Sequence, residues 1–209
     1  MLYSYLMDKY GENEPIIVSD IKLKGMSDSR LRQQIMKLNE EGKLKRYDTG
    51  IYYIPKKSLF RSGAQLSCDK VIEAKYLRSS DGRCGYFSGL MFANLMGLTT
   101  QVSMTYDIVT NKATRDIRET TLAKSRIIVR KPRVPITEDN YRALQFLDLL
   151  KDIDTLAEIP AAEAQGRLTK YMKDTGLTFP DIEKYLSFYP DRLYKNLYET
   201  RLLHGVLTQ

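Results

Sequence analysis

Arg30, Arg32 and Gln33 stand within four residues of one another, and they are side chains able to read base edges. An arginine can bridge the O6 and N7 atoms of guanine, and a glutamine can do the same at N6 and N7 of adenine. Ser27 and Ser29 precede them and can hydrogen-bond phosphate. Asp28 opposes close phosphate approach, but it also favours a helix N-terminus. Lys37 follows, and then Lys43, Lys45 and Arg46, three cations of the kind a phosphate backbone attracts. A second concentration runs from Lys112 to Arg133. It holds Lys112, Arg115, Arg118, Lys124, Arg126, Arg130, Lys131 and Arg133 against Asp116 and Glu119 alone. It reads as a second positive surface, for DNA or for an acidic partner. The bland alternative for both clusters is a solvated basic face on a protein-interaction module.

Other chemistries find less support. No phosphate-binding P-loop or dinucleotide glycine fingerprint is present. Ser88 lies in Tyr86-Phe87-Ser88-Gly89-Leu90, which lacks the glycine two residues before a nucleophilic serine. Ser88 is read instead as a small residue packed inside a helix. His204 is the single histidine, so histidine-based triads and metal sites have almost nothing to work with. Asp107, Asp116 and Glu119 lie near basic strands and raise a metal-dependent nuclease or nucleotide-processing enzyme as an alternative. Carboxylates at those spacings more often face neighbouring arginines and lysines. Cys68 and Cys84 are too sparse for a structural zinc site and read as reduced thiols. The expectation is a protein with no cofactor, no metal and no catalytic residues.

Composition fits that picture. The chain has 209 residues, 43% of them hydrophobic, which suits one large or two small domains with real cores. Net charge is +7, an excess compatible with a nucleic-acid partner or with simple solubility. No apolar run approaches the ~20 residues of a membrane span, and the start lacks a signal-peptide pattern. A cytoplasmic protein without a membrane partner is expected.

The elements that must position the basic residues follow from periodicity. Leu2 to Tyr10 places Leu2, Tyr5 and Leu6 on one face of a first helix. Ser19 reads as the N-cap of a brief second helix through Ile21 and Lys22. Ser27 caps a third, stopped by Gly42, with Leu31, Ile35 and Leu38 on its inner face. The stretch KLKRYDTGIYYIP, Lys43 to Pro55, reads as a β-hairpin turning at Asp48-Thr49-Gly50, its Ile51 and Tyr53 packed on the helices. Three helices and a hairpin in this order predict a winged helix-turn-helix.

Beyond it, residues 67–77 predict a helix, and Tyr86 to Met96 a buried one closed by Gly97. Strands follow at about 101–110, 114–121 and 125–131, rich in Thr, Val, Ile and Tyr. From Glu138 the pattern is helical: Leu144, Leu147 and Ile153 mark one helix, residues 161–173 another, and Pro190 splits the last stretch in two. The predicted fold class is α+β: an N-terminal winged helix-turn-helix over residues 1–57, a linker over 58–66, and a mixed α/β C-terminal domain over 67–209 with a small β-sheet and a helical tail.

The stretch GMSDSRLRQQIMKLNEEGKLKRYDTGIYYIP resembles the N-terminal winged helix of AbiEi-family antitoxins of bacterial type IV toxin–antitoxin systems. The stretch GYFSGLMFANLMGLTTQVSMTYDIVTNKATRD resembles the start of their C-terminal domain, with Ser88-Gly89 and Gly97-Leu98-Thr99 at its helix and following strand. Together they cover most of the chain up to about Arg133; the helical tail is less diagnostic. The resemblance implies an autorepressor that binds inverted repeats in double-stranded DNA of its own promoter; a monomer that pairs on the repeat and a preformed dimer are both compatible with such a site. It also implies an antitoxin that neutralises a nucleotidyltransferase toxin without a stable complex. It implies no cofactor and no catalysis.

Overall fold

The computed structural model describes residues 2–56 and 65–202. Residues 57–64, which hold most of the expected linker, and His204 lie outside the described residues. The chain is a mixed α+β protein with small sheets. It divides into two compact units, Met1–Lys75 with Leu122–Lys124, and Tyr76–Thr121 with Ser125–Gln209. Among the described residues no helix is long and apolar enough to cross a membrane.

The first unit opens with α1 (Leu2–Tyr10), whose Leu2 and Leu6, four residues apart, are both buried. Then come β1 (Ile16–Ile17) and a 3-10 turn over Val18–Asp20. This turn replaces the expected Ser19-capped helix. Ser19 spends its hydroxyl on Asp20, at 3.0 Å. Ile21 swings into extended backbone and is buried, so the helix ends before it can grow. Helix α2 (Asp28–Glu40) starts where Ser27 Oγ accepts the Arg30 amide at 3.3 Å. It stops at Gly42, whose φ of +70° favours glycine.

Strands β2 (Lys45–Asp48) and β3 (Ile51–Tyr53) form the hairpin, and β1 adds to it in the order β1-β3-β2, all antiparallel. Gly50 has the positive φ that the turn requires. Lys43 precedes the strand rather than opening it. Both faces of β3 are used for packing. Tyr52 and Ile54 join the cluster built from Leu2, Leu6, Ile16, Leu31 and Ile35, while Ile51 and Tyr53 lie outside it. Side chains alternate along a strand, so Ile51 and Tyr53 are buried on the opposite face of the sheet. Helix α3 (Cys68–Ile72) groups with this unit and continues as a π-turn over Glu73–Leu77.

The second unit holds the ribbon β4 (Arg78–Ser79) and β5 (Gly82–Arg83), then β6 (Gly85–Phe87) and α4 (Gly89–Leu95). The single helix expected over 86–96 is thus a strand and a shorter helix. The reason lies in distant partners: Gly85, Tyr86 and Phe87 pair with Thr110, Val109 and Ile108. A Cβ at Gly85 would sit 2.6 Å from the Tyr76 carbonyl oxygen, so only glycine permits that approach. Gly97 closes α4 as expected, at φ +69°.

Strands β7 (Thr105–Thr110), β8 (Ile117–Leu122) and β9 (Ser125–Arg130) complete a sheet of order β6-β7-β9-β8, with β7 parallel to β9. Helix α5 (Tyr141–Lys151) is buried from Ala143 to Leu150. Around it lie α6 (Ile153–Leu156), α7 (Ala161–Thr175), α8 (Phe179–Glu183) and α9 (Arg192–Glu199). Ile153 opens α6 rather than ending α5, yet it still joins the main core with Phe146, Leu147 and Leu197.

Candidate nucleic-acid interface

Helix α2 carries its polar residues outward. Ser27, Ser29, Arg30, Arg32, Gln33 and Lys37 are all exposed, and Leu31 and Ile35 are buried beneath them. At 100° per residue, Ser29, Gln33 and Lys37 span roughly 80° of the helix surface and form one stripe. Arg30 and Arg32 lie roughly 160° apart about the axis, one on each flank of that stripe. A ligand facing Gln33 therefore meets the two arginines at its margins.

The hairpin cations are exposed too, but their surroundings differ. Lys43 Nζ is 2.8 Å from Glu41 Oε2. That hydrogen bond holds the Glu41 carboxyl below its usual range and raises Lys43. Arg46 turns back to its own loop: Nη2 donates to Thr49 Oγ1 at 3.2 Å and Nε to the Asp48 carbonyl at 3.4 Å. Lys45 and Arg46 are consecutive strand residues and project to opposite faces. The three cations expected to act as one clamp are therefore one lysine with a carboxylate, one strand lysine, and one arginine braced on the turn. Strand β2 lies at the edge of its sheet, so its outer margin is not covered by a further strand among the described residues.

A groove of about 770 Å³ runs along the Arg32 flank of α2, between that helix and the segment from Ile17 to Lys22. Arg46, Thr49 and Gly50 of the hairpin reach its border.

The second basic stretch is more dispersed than its composition suggests. Arg126 Nη2 pairs with Glu119 at 2.6 Å. Arg130 makes a two-pronged contact with Asp107, Nε to Oδ1 at 2.9 Å and Nη2 to Oδ2 at 3.2 Å. Lys112 donates to the Arg78 carbonyl at 2.5 Å, and Arg133 lies over the Tyr189 ring at 5.3 Å. Arg115, Arg118, Lys124 and Lys131 are exposed. Lys124 falls in the first unit and the other seven in the second.

The residues considered for catalysis are separately placed. Asp107 and Glu119 each face an arginine, as above, and Asp116 is exposed. Among the described residues no three His, Cys, Asp or Glu side chains are grouped so as to hold a metal ion. Ser88 stands at the N-cap position of α4, its amide donating to the Asp107 carbonyl at 2.8 Å, and not inside the helix. The strand β6 occupies the residues that the longer helix would have used. Cys68 and Cys84 are free thiols.

Sequence reasoning missed a buried polar group in the second unit. Tyr86 Oη, in a side chain only 1% exposed, donates to Asp148 Oδ2 at 2.7 Å. Burial pushes the Asp148 carboxyl up, against the nearby positive charge of Lys151 and the Tyr86 hydrogen bond. Its signal was an acid alone within Phe146-Leu147-Asp148-Leu149-Leu150. Glu158 was missed as well. It accepts from the Thr99 hydroxyl at 2.6 Å, the Gln101 side chain at 2.6 Å and the Thr100 amide at 3.0 Å, which lowers its carboxyl to about 2.

No protein-family model matches the chain, and no curated protein matches it.

Proposed function

We propose that this protein is a sequence-specific DNA-binding regulator of the antitoxin type, with its first unit acting as a winged helix-turn-helix. One observation carries the reading. A Ser27-capped helix presents Ser29, Gln33 and Lys37 as an exposed stripe flanked by Arg30 and Arg32, beside an edge-strand hairpin bearing Lys45. The order of helix, short strand, 3-10 turn, helix and hairpin supports it. In this reading α2 enters the major groove with its N-terminal half. Gln33 and the flanking arginines meet base edges, and Lys37, Lys43, Lys45 and Arg46 approach phosphates. Arg46 leaves its turn to do so, and Lys43 trades Glu41 for a phosphate oxygen.

The target is double-stranded DNA upstream of the protein's own gene, bound at inverted repeats by two copies. The second role, neutralising a nucleotidyltransferase toxin without a stable complex, rests on the resemblance of the two quoted stretches to AbiEi antitoxins.

Titration of the full chain into a labelled upstream duplex tests the DNA role. Arg30→Ala should cost about 1–3 kcal/mol on that duplex. Lys45→Ala should weaken all duplexes alike and reduce the salt slope by about 1. Binding untouched by both substitutions would remove the site assignment. Co-expression with a neighbouring nucleotidyltransferase tests the second role, growth rescue being the expected result.

A further inference from the structure

The groove beside α2 has the size and lining of a small-molecule site. Its volume of about 770 Å³ lies inside the range of roughly 300–1,000 Å³ that such ligands occupy. Ile17, Ile21, Leu31, Ile35, Ile51 and Tyr52 supply the apolar part of its lining, and polar and charged side chains supply about half of it. Met36 stands at the opening, 56% exposed. Ile17, Tyr52 and Met36 offer the apolar contact left open to a ligand, since Ile21, Leu31 and Ile35 are at most 4% exposed.

Charge at the border selects among apolar ligands. Lys22, Arg32, Arg46 and Lys75 line the groove, against the two carboxylates Asp28 and Glu40. Lys22 and Arg32 are exposed and form no ion pair among the described residues. Asp28 stands one turn before Arg32 on α2 and faces the same groove. Glu40 is eight residues from Arg32, about 12 Å along the axis. With four cations against two carboxylates, the border as a whole keeps a positive excess.

We infer that this groove binds a small organic anion with an apolar body, its charged group held by Lys22 and Arg32. Arg32 and Arg46 also belong to the DNA-facing set proposed above. If that reading holds, the ligand competes with DNA, and the groove is a regulatory site.

Anilinonaphthalene sulfonate, a fluorescent anion of this kind, tests the site on the full chain. Its neutral relative N-phenyl-1-naphthylamine serves as the control. The expected result is saturable binding of one sulfonate per chain. Binding should weaken at least tenfold in Lys22→Glu and in Met36→Asp, two exposed positions whose variants are checked for unchanged far-UV circular dichroism. The neutral probe should bind at least tenfold more weakly. Equal affinity for both probes, or sulfonate binding unchanged in both variants, would overturn the assignment. Self-association of the native chain that is lost in Met36→Asp would give the groove to a second copy and overturn it as well. These arms contain no DNA, so they judge the ligand site alone. Adding labelled upstream duplex then separates the two readings. Displacement of bound duplex by the sulfonate supports the regulatory role. Duplex binding unaffected by a saturated groove overturns that role. Absence of any duplex binding overturns the DNA reading and leaves the ligand result standing.

Discussion

Replacing Tyr86 with Phe removes one oxygen from above Asp148, the single buried carboxylate among the described residues. The ring stays, so the packing of β6 against α5 is retained and the change isolates one hydrogen bond. That bond is 2.7 Å long and joins a phenol to a carboxylate in a buried setting. Hydrogen bonds to charged groups contribute about 1.5–3 kcal/mol. Lys151 Nζ stays 3.8 Å from the other Asp148 oxygen and softens the loss. A destabilisation of about 2 kcal/mol at pH 7 is therefore expected. Urea unfolding followed by circular dichroism measures it, with an unchanged denaturant slope showing that compactness is preserved.

The pH dependence gives a second check. Burial raises the Asp148 carboxyl above its unfolded value, so the folded chain holds that proton more tightly than the unfolded chain does. That contribution is fully present below the unfolded value near 4 and is lost as pH rises through the raised folded value. Tyr86 favours the charged form, so its deletion raises the folded value further. The deficit of Tyr86→Phe should then be larger at pH 7 than at pH 4. A deficit below about 0.5 kcal/mol at pH 7, within the scatter of a surface substitution, would refute the reasoning. An equal deficit in an Asp148→Asn background would refute it too, because the coupling would be absent.

Ser27→Ala removes the acceptor for the Arg30 amide and should cost about 1 kcal/mol, read from thermal melting. Glu41→Gln leaves Lys43 without the carboxylate 2.8 Å away. If DNA is bound through this region, the variant should bind more tightly at low salt, with a salt slope steeper by up to about 0.9. The Glu158 carboxyl is held at about 2, below its unfolded value. Its stabilisation is present above that unfolded value and lost as pH falls through about 2. Acid titration of the melting temperature from pH 5 to pH 2 should therefore fall less steeply in Glu158→Gln than in the native chain.

What was legible in the sequence was local. The Ser27 cap, the Gly42 and Gly97 stops and the turn at Asp48-Thr49-Gly50 each depend on a few neighbouring residues, and each is present in the structure. What was not legible depended on partners far along the chain. Gly85 to Phe87 is a strand because Ile108 to Thr110 lies beside it, and a short apolar run does not distinguish strand from helix. The alternation Ile51, Tyr52, Tyr53, Ile54 predicts two faces, but not that Tyr52 and Ile54 join the cluster of Leu2, Leu6 and Leu31 while Ile51 and Tyr53 are buried as well. The basic stretch after Lys112 looked like one surface because charge was counted along the chain. Asp107, 23 residues away from Arg130 in sequence, takes up one of its strongest cations.

Sequence-specific DNA binding through α2 is the central claim. Its most direct measurement is the affinity of the full chain for the upstream duplex and for a scrambled duplex of equal length, at one fixed salt concentration. The same pair is then measured for Gln33→Ala and Arg30→Ala. DNA readout by α2 predicts a preference for the upstream duplex of at least about a thousandfold, reduced by about tenfold or more in at least one variant. Equal affinity of the native chain for both duplexes, or a preference that survives both substitutions intact, would contradict it.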